Sequence, residues 1–137
     1  MFNNCFKGKK VLVTGNTGFK GSWLSLWLLE LGADVYGLAN GIPTNPSMYK
    51  VLGLSDKINH YDADVRDYEQ VKKIIQEVAP DFIFHLAAQS VVSKSYNDPL
   101  ETISTNVIGT SVILEVLRHF ENDCIAVIIT SDKCYDN

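Results

Sequence analysis

The sequence predicts an α/β chain built on a doubly wound parallel sheet of strand order 3-2-1-4-5, and three observations carry that prediction. Short apolar runs of strand length alternate with longer segments whose apolar residues recur at helical spacing, which implies βαβ units. The first run, Lys10-Val11-Leu12-Val13-Thr14, breaks at Gly15-Asn16-Thr17-Gly18-Phe19-Lys20-Gly21, a G-x-x-G-x-x-G corner that leads straight into an apolar helix. A length of 137 residues, 46% of them apolar, suits one domain.

Residues 10–14 form the first strand and residues 19–31 the first helix, with Gly32 as its C-terminal stop. Residues 35–38 make the second strand. Gly41, Pro43, Pro46 and Gly53 mark residues 39–55 as a long loop with room for one helical turn. Residues 58–61 are a short third strand. Asp67 then caps a helix that runs through Val78, with Val71, Ile74, Ile75 and Val78 on one face. Residues 81–85 form the fourth strand, and a loop from Gln89 leads to Asp98-Pro99, cap and first-turn proline of a helix reaching about Phe120. Residues 125–130 close the sheet as strand five.

A net charge of −4 without a basic run gives no footing for nucleic acid or an anionic membrane. Residues 1–10 carry Asn3 and Asn4 and lack a signal peptide's apolar stretch, and no later apolar run reaches membrane-spanning length, so a cytoplasmic protein is expected. Cys5, Cys124 and Cys134 are odd in number and widely spaced, which argues for reduced thiols and against a zinc site.

A glycine corner between strand and helix suits a diphosphate, because free backbone N–H groups and the positive end of the helix dipole point at it. In a doubly wound sheet ligands sit beyond the C-terminal strand ends, where the order reverses. Three segments fall there: Gly15 to Gly21, His85-Leu86-Ala87-Ala88-Gln89, and Thr130-Ser131-Asp132-Lys133.

Four motifs in this order, Thr14-Gly15-Asn16-Thr17-Gly18-Phe19-Lys20-Gly21, Asp64-Val65-Arg66-Asp67, His85-Leu86-Ala87-Ala88-Gln89 and Thr105-Asn106-Val107-Ile108-Gly109-Thr110, resemble the signatures of extended short-chain dehydrogenases/reductases acting on nucleotide sugars. Within that family the glycine segment through Trp23, the loop Pro43-Thr44-Asn45-Pro46-Ser47 and the stretch from Thr130 to Tyr135 are most similar to the CDP-glucose 4,6-dehydratases. The resemblance implies that residues 1–137 are an NAD-binding Rossmann domain, that the substrate is a nucleotide sugar such as CDP-glucose, that the product feeds lipopolysaccharide biosynthesis, and that the full-length enzyme is a homo-oligomer. It also implies that the chain is incomplete, because the family continues through a Tyr-x-x-x-Lys helix into a substrate-binding region.

The implied coenzyme-binding residues are Gly15, Thr17, Gly18, Phe19, Lys20, Gly21, Asn40, Asp64, Val65, Leu86, Ala87, Ala88, Gln89 and Thr105, with Ser90 facing the sugar phosphate. Each has a plainer competitor. Asp64 accepts the adenine amino group or stabilises its own turn; Ala87 and Ala88 admit a coenzyme or merely pack tightly. Thr105 and Asn106 face the site, or Asn106 ties two backbone segments together. The family places an acid at the end of strand two for the ribose hydroxyl, but this chain has Ala39 there, leaving Asn40 as substitute ribose partner or simple turn residue. No Arg or Lys lies between Val35 and Tyr49 to neutralise a 2′-phosphate, so NAD is expected over NADP.

As the resemblance implies it, a hydride leaves sugar C4, water is lost across C5 and C6, and the hydride returns to C6. Ser131 would hydrogen-bond the C4 hydroxyl, Asp132 protonate the departing C6 hydroxyl, and Lys133 remove the C5 proton once burial lowers its pKa. Tyr68 and Lys72 also fit Tyr-x-x-x-Lys, but they stand on the helix between strands three and four, where amphipathicity explains both. Strand five would be an open apolar edge, and the first helix is apolar around most of its circumference. A related epimerase or reductase and a catalytically silent dinucleotide-binding module are the competing readings.

Overall fold

The computed structural model describes residues 2–131. Five parallel strands, β1 (Lys10–Thr14), β2 (Asp34–Ala39), β3 (Asn59–Asp62), β4 (Phe82–His85) and β5 (Ile125–Ile128), lie in the order β3-β2-β1-β4-β5, as expected. The helices are α1 (Phe19–Glu30), α2 (Met48–Val51), α3 (Tyr68–Val78), α4 (Val92–Asn97), α5 (Pro99–Ile103) and α6 (Gly109–Arg118).

Strand alternation sends β1 side chains to opposite faces and so makes two cores. Leu12 joins Leu38, Ile83, the buried face of α3 and Val112, Ile113 and Val116 of α6, whereas Val11 and Val13 join Val35, Leu28, Tyr49 and Leu54 on the other side. Helix α3 follows its sequence closely: the Asp67 carboxylate accepts from Gln70 N at 3.0 Å, Val71, Ile74, Ile75 and Val78 are buried, and Ala79 ends the helix at φ 47°.

Helix α1 is packed the opposite way from a usual amphipathic helix. It turns Gly21, Ser22, Ser25 and Leu28 inward, while Phe19, Trp23 and Trp27 stay 67%, 47% and 49% exposed. The small inward residues let the helix axis approach the glycine corner, and Ser22 and Ser25 satisfy their hydroxyls on the carbonyls of Asn16 and Gly21. Its uniform apolarity therefore leaves a large apolar outer face, as does β5, where Ile125 and Val127 are exposed, with exposed Ile129 just after it.

The departures from expectation are local. Residues 39–55 hold α2, capped by Ser47, as well as a 3₁₀ turn at Leu54–Asp56. Helix α4 occupies what reads as loop, because Val92 to Asn97 lacks helical apolar periodicity. The long helix after Pro99 is interrupted by a π turn at Ser104–Ile108, so α5, the π turn and α6 form 20 continuous helical residues, which include an 18-residue stretch of mean hydropathy 1.3. That corrects the expectation that no apolar segment reaches membrane-spanning length. Gly109, Val112, Ile113 and Val116 of this segment are buried, whereas Leu100, Ile103, Val107 and Leu114 stay exposed.

Candidate functional site

The chain turns sharply after β1 because Gly15 adopts φ +72° and lies so close to β4 that an added Cβ would meet the Ala87 backbone at 2.9 Å. Gly21 presses against Gly15 and Asn16, and no side chain caps Gly18. The first turn of α1 therefore rises from a close-packed corner with its N-terminal amides uncapped, a cradle suited to an anion. Phe19 and Lys20 flank it at the surface.

Behind the corner lie two buried polar junctions. On the β4 side, the Thr110 hydroxyl donates to Asn106 O at 2.7 Å and accepts from His85 Nε2 at 3.1 Å, so His85 Nδ1 accepts from the Thr14 hydroxyl at 2.7 Å. Thr14 Oγ1 in turn accepts from the backbone N–H groups of Leu86, at 3.2 Å, and Ala87, at 3.1 Å. Burial pushes the His85 imidazole down to about 4, so it stays neutral and the proton assignment is stable. On the β2 side, the buried Asn16 amide donates to His60 Nδ1 at 3.2 Å and lies over Gly37, where a Cβ would collide with it. Asn16 Oδ1 is buried with no donor among the described residues, and burial lowers the His60 pKa.

The ends of β2 and β3 are joined to this corner. The Thr17 hydroxyl donates to Gly41 O at 2.8 Å, and Gly41 N donates to Asp62 Oδ1 at 3.0 Å. Asp64 receives Arg66 from both sides, Nε on Oδ1 at 2.9 Å and Nη2 on Oδ2 at 2.6 Å, while Arg66 Nη1 reaches Glu101 at 2.7 Å and Ser104 at 3.2 Å. The Arg66 guanidinium holds the Asp64 carboxyl below the usual carboxylate range. Asn40 donates to Asp64 Oδ2 at 3.4 Å, so it leans toward the Asp64 side of the site. Val65 is buried in the core beside Gly109.

Beyond β4, Leu86 and Ala87 are half-buried, Ala88 and Ser90 are exposed, and the backbone of Gln89 is clasped by Asn106, which accepts from Gln89 N at 2.7 Å and donates to Gln89 O at 3.0 Å. Asn106 thus ties the loop to the π turn. Thr105 Oγ1 is engaged with Glu101 at 3.3 Å. Ser131 is exposed just past β5, and Asp132 and Lys133 lie outside the described residues.

The fold gathers Gly15, Thr17, Gly18, Gly21, Asn40, Asp64, Leu86, Ala87, Ala88 and Gln89 around the C-terminal strand ends. Sequence reasoning placed His85 and Thr110 in motifs without giving either a role, and missed Gly37 and Asp62. A glycine inside β2 was the one available signal, since such a residue marks close approach by another group.

The profile of the family described as GDP-mannose 4,6 dehydratase matches residues 12–136. A CDP-glucose 4,6-dehydratase of Salmonella typhimurium is 51% identical over 134 residues, covering 98% of this chain and 37% of that enzyme. A solved UDP-glucose-4-epimerase from Stenotrophomonas maltophila, with bound NAD and formylated UDP-arabinopyranose, superposes with a TM-score of 0.79 at 26% identity over 91% of this chain and 38% of its own. A UDP-glucose 4-epimerase from Thermotoga maritima with UDP-glucose gives 0.75 at 30% identity, covering 87% of this chain and 37% of the relative. The chain therefore spans little more than a third of the length of these relatives.

Proposed function

The chain belongs to the GDP-mannose 4,6 dehydratase family, and from that premise we propose that it is the coenzyme-binding part of an NAD-dependent nucleotide-sugar 4,6-dehydratase acting on CDP-glucose. One observation carries the coenzyme half of this reading: α1 starts uncapped at Gly18, within a turn where Gly15 lies against the Ala87 backbone and Gly21 against Gly15 and Asn16. The residues present fit the group. The amides of the first turn of α1 would hold its diphosphate, the Ala87–Ala88 backbone would border it, and the Asp64 carboxylate would take the adenine amino group while Arg66 keeps it oriented. NAD, when bound, supplies a reversible hydride acceptor for the sugar.

Ser131 would hydrogen-bond the sugar C4 hydroxyl, Asp132 would protonate the departing C6 hydroxyl, and Lys133 would take the C5 proton. Support for these three roles comes from their position in the sequence directly after β5, since ligands of doubly wound sheets lie beyond the C-terminal strand ends. The exposed apolar residues Leu100, Ile103, Val107 and Leu114 support self-association of the whole enzyme, and a cytoplasmic setting suits its nucleotide substrate. Epimerisation of a related sugar nucleotide is the second reading, favoured by the superposable epimerases; product analysis separates them, because only the dehydratase yields a 4-keto-6-deoxy sugar.

Calorimetric titration with NAD tests the proposal, and Gly18→Asp sharpens it. Gly18 is extended at φ −73°, ψ 168°, the geometry of an N-cap, so an aspartate there caps α1 while its charge repels a diphosphate. A Cβ there meets Gly15 O at 3.3 Å, so the cap is offset by a tight contact; the variant is expected to stay folded and to bind NAD at least about tenfold more weakly. No heat from the parent chain at millimolar NAD, or a liganded crystal with the coenzyme remote from Gly18, overturns the proposal.

A further inference from the structure

The end of β2 carries Ala39 where a coenzyme-binding sheet of this kind uses an acid to hold the ribose hydroxyls. Strand pairing brings an acid back to that place. Ala39 is in register with Asp62, the last residue of β3, and neighbouring parallel strands lie about 4.8 Å apart with paired side chains on the same face. Asp62 is exposed, and its carboxylate already reaches across to the turn after β2, accepting from Gly41 N at 3.0 Å. The turn it reaches is fastened to the glycine corner by the Thr17 hydroxyl on Gly41 O at 2.8 Å. A ribose bridging a diphosphate at Gly18 and an adenine at Asp64 must cross this turn.

On the reading of the site as a dinucleotide cradle, we infer that Asp62 replaces the missing strand-two acid, accepting from the ribose 2′-hydroxyl and excluding a 2′-phosphate. Arg66, held against Asp64, does not offset it. Arg66 is spent on Asp64 at 2.6 Å, Glu101 at 2.7 Å and Ser104 at 3.2 Å, which holds its guanidinium against α5. A phosphate at the Ala39–Gly41 turn would meet the carboxylates of Asp62 and Asp64. Discrimination between NAD and NADP is thereby moved one strand over from its usual seat.

The test is the ratio of NAD to NADP affinity, measured by calorimetry on the parent chain, Asp62→Asn and Asp62→Ser. Both substitutions are at an exposed position, and Asn still accepts from Gly41 N. The parent is expected to favour NAD, and both variants to narrow that preference about tenfold, chiefly through tighter NADP binding. An unchanged ratio in two folded variants that still bind NAD overturns the role of Asp62 and leaves the cradle standing. A parent that binds neither coenzyme overturns the cradle, and the role of Asp62 with it.

Discussion

Two polar junctions lie side by side behind the glycine corner, and they are built to different standards. Around His85 every group has a partner: Thr110 holds Nε2, Thr14 holds Nδ1, and Thr14 in addition takes two backbone amides of the Leu86–Ala87 loop. Around Asn16 the amide nitrogen finds His60, but the equally buried oxygen finds no donor among the described residues. The first junction is a closed clasp that fixes the wall of the site. The second holds the corner by shape, with the Asn16 side chain filling the space Gly37 leaves empty. A satisfied network stabilises through its hydrogen bonds, whereas a half-satisfied one depends on fit.

The difference is open to attack by mutation and pH. Truncating His85 to Ala strands the Thr14 hydroxyl and opens a cavity between β1, β4 and α6, so thermal or urea unfolding should show a loss of about 3 to 4 kcal/mol. Acid reaches the same clasp. The imidazole pKa is depressed to about 4 in the folded chain from an ordinary 6.5, so its contribution is fully present above pH 6.5 and is lost as pH falls toward 4. That loss should approach about 3 kcal/mol. His85→Gln should flatten the stability curve between those limits, leaving the slope from His60, whose pKa burial also lowers, and toward pH 4 that from the carboxylates of Asp64, Asp81 and Glu115, which their partners hold low; an undiminished slope would place the titration elsewhere.

Gly37→Ala should cost less, about 2 kcal/mol, because Asn16 must be pushed from its seat but no hydrogen-bonded cluster is broken. The smallest effect is expected from Asn16→Ala. It gives up one bond to His60 and one stranded oxygen together, so unfolding should register about 1 kcal/mol or less. Combined with Gly37→Ala it should recover most of that substitution's cost, since the methyl then enters the vacated space. A double variant as unstable as the sum of the singles would show that shape is not what this junction supplies.

Legibility of the site followed the range of the interactions. Helix α3 and the glycine corner were readable because cap, periodicity and turn chemistry are written within a dozen residues. Helix α4 and the π turn were not, since Val92-Ser93-Lys94-Ser95 has no helical pattern and the π turn accompanies the Asn106 clasp on Gln89, 17 residues away. Asp64 was readable as a site residue, but its capture by Arg66 together with Glu101, 35 residues further on, was not. Among the coenzyme candidates, Val65 was placed on the motif, whereas the fold spends its side chain on the core beside Gly109.

By itself the sequence determined what depends on neighbours along the chain: alternating strands and helices, the parallel order around β1, and a tight glycine turn that only an uncapped helix start follows. The tertiary structure alone decided which distant groups meet there. Ala39 opposite Asp62, Asn16 above Gly37 and His85 between Thr14 and Thr110 are consequences of strand register and helix placement. Register is set by burying whole apolar faces at once, so no single residue announces which partner it will acquire.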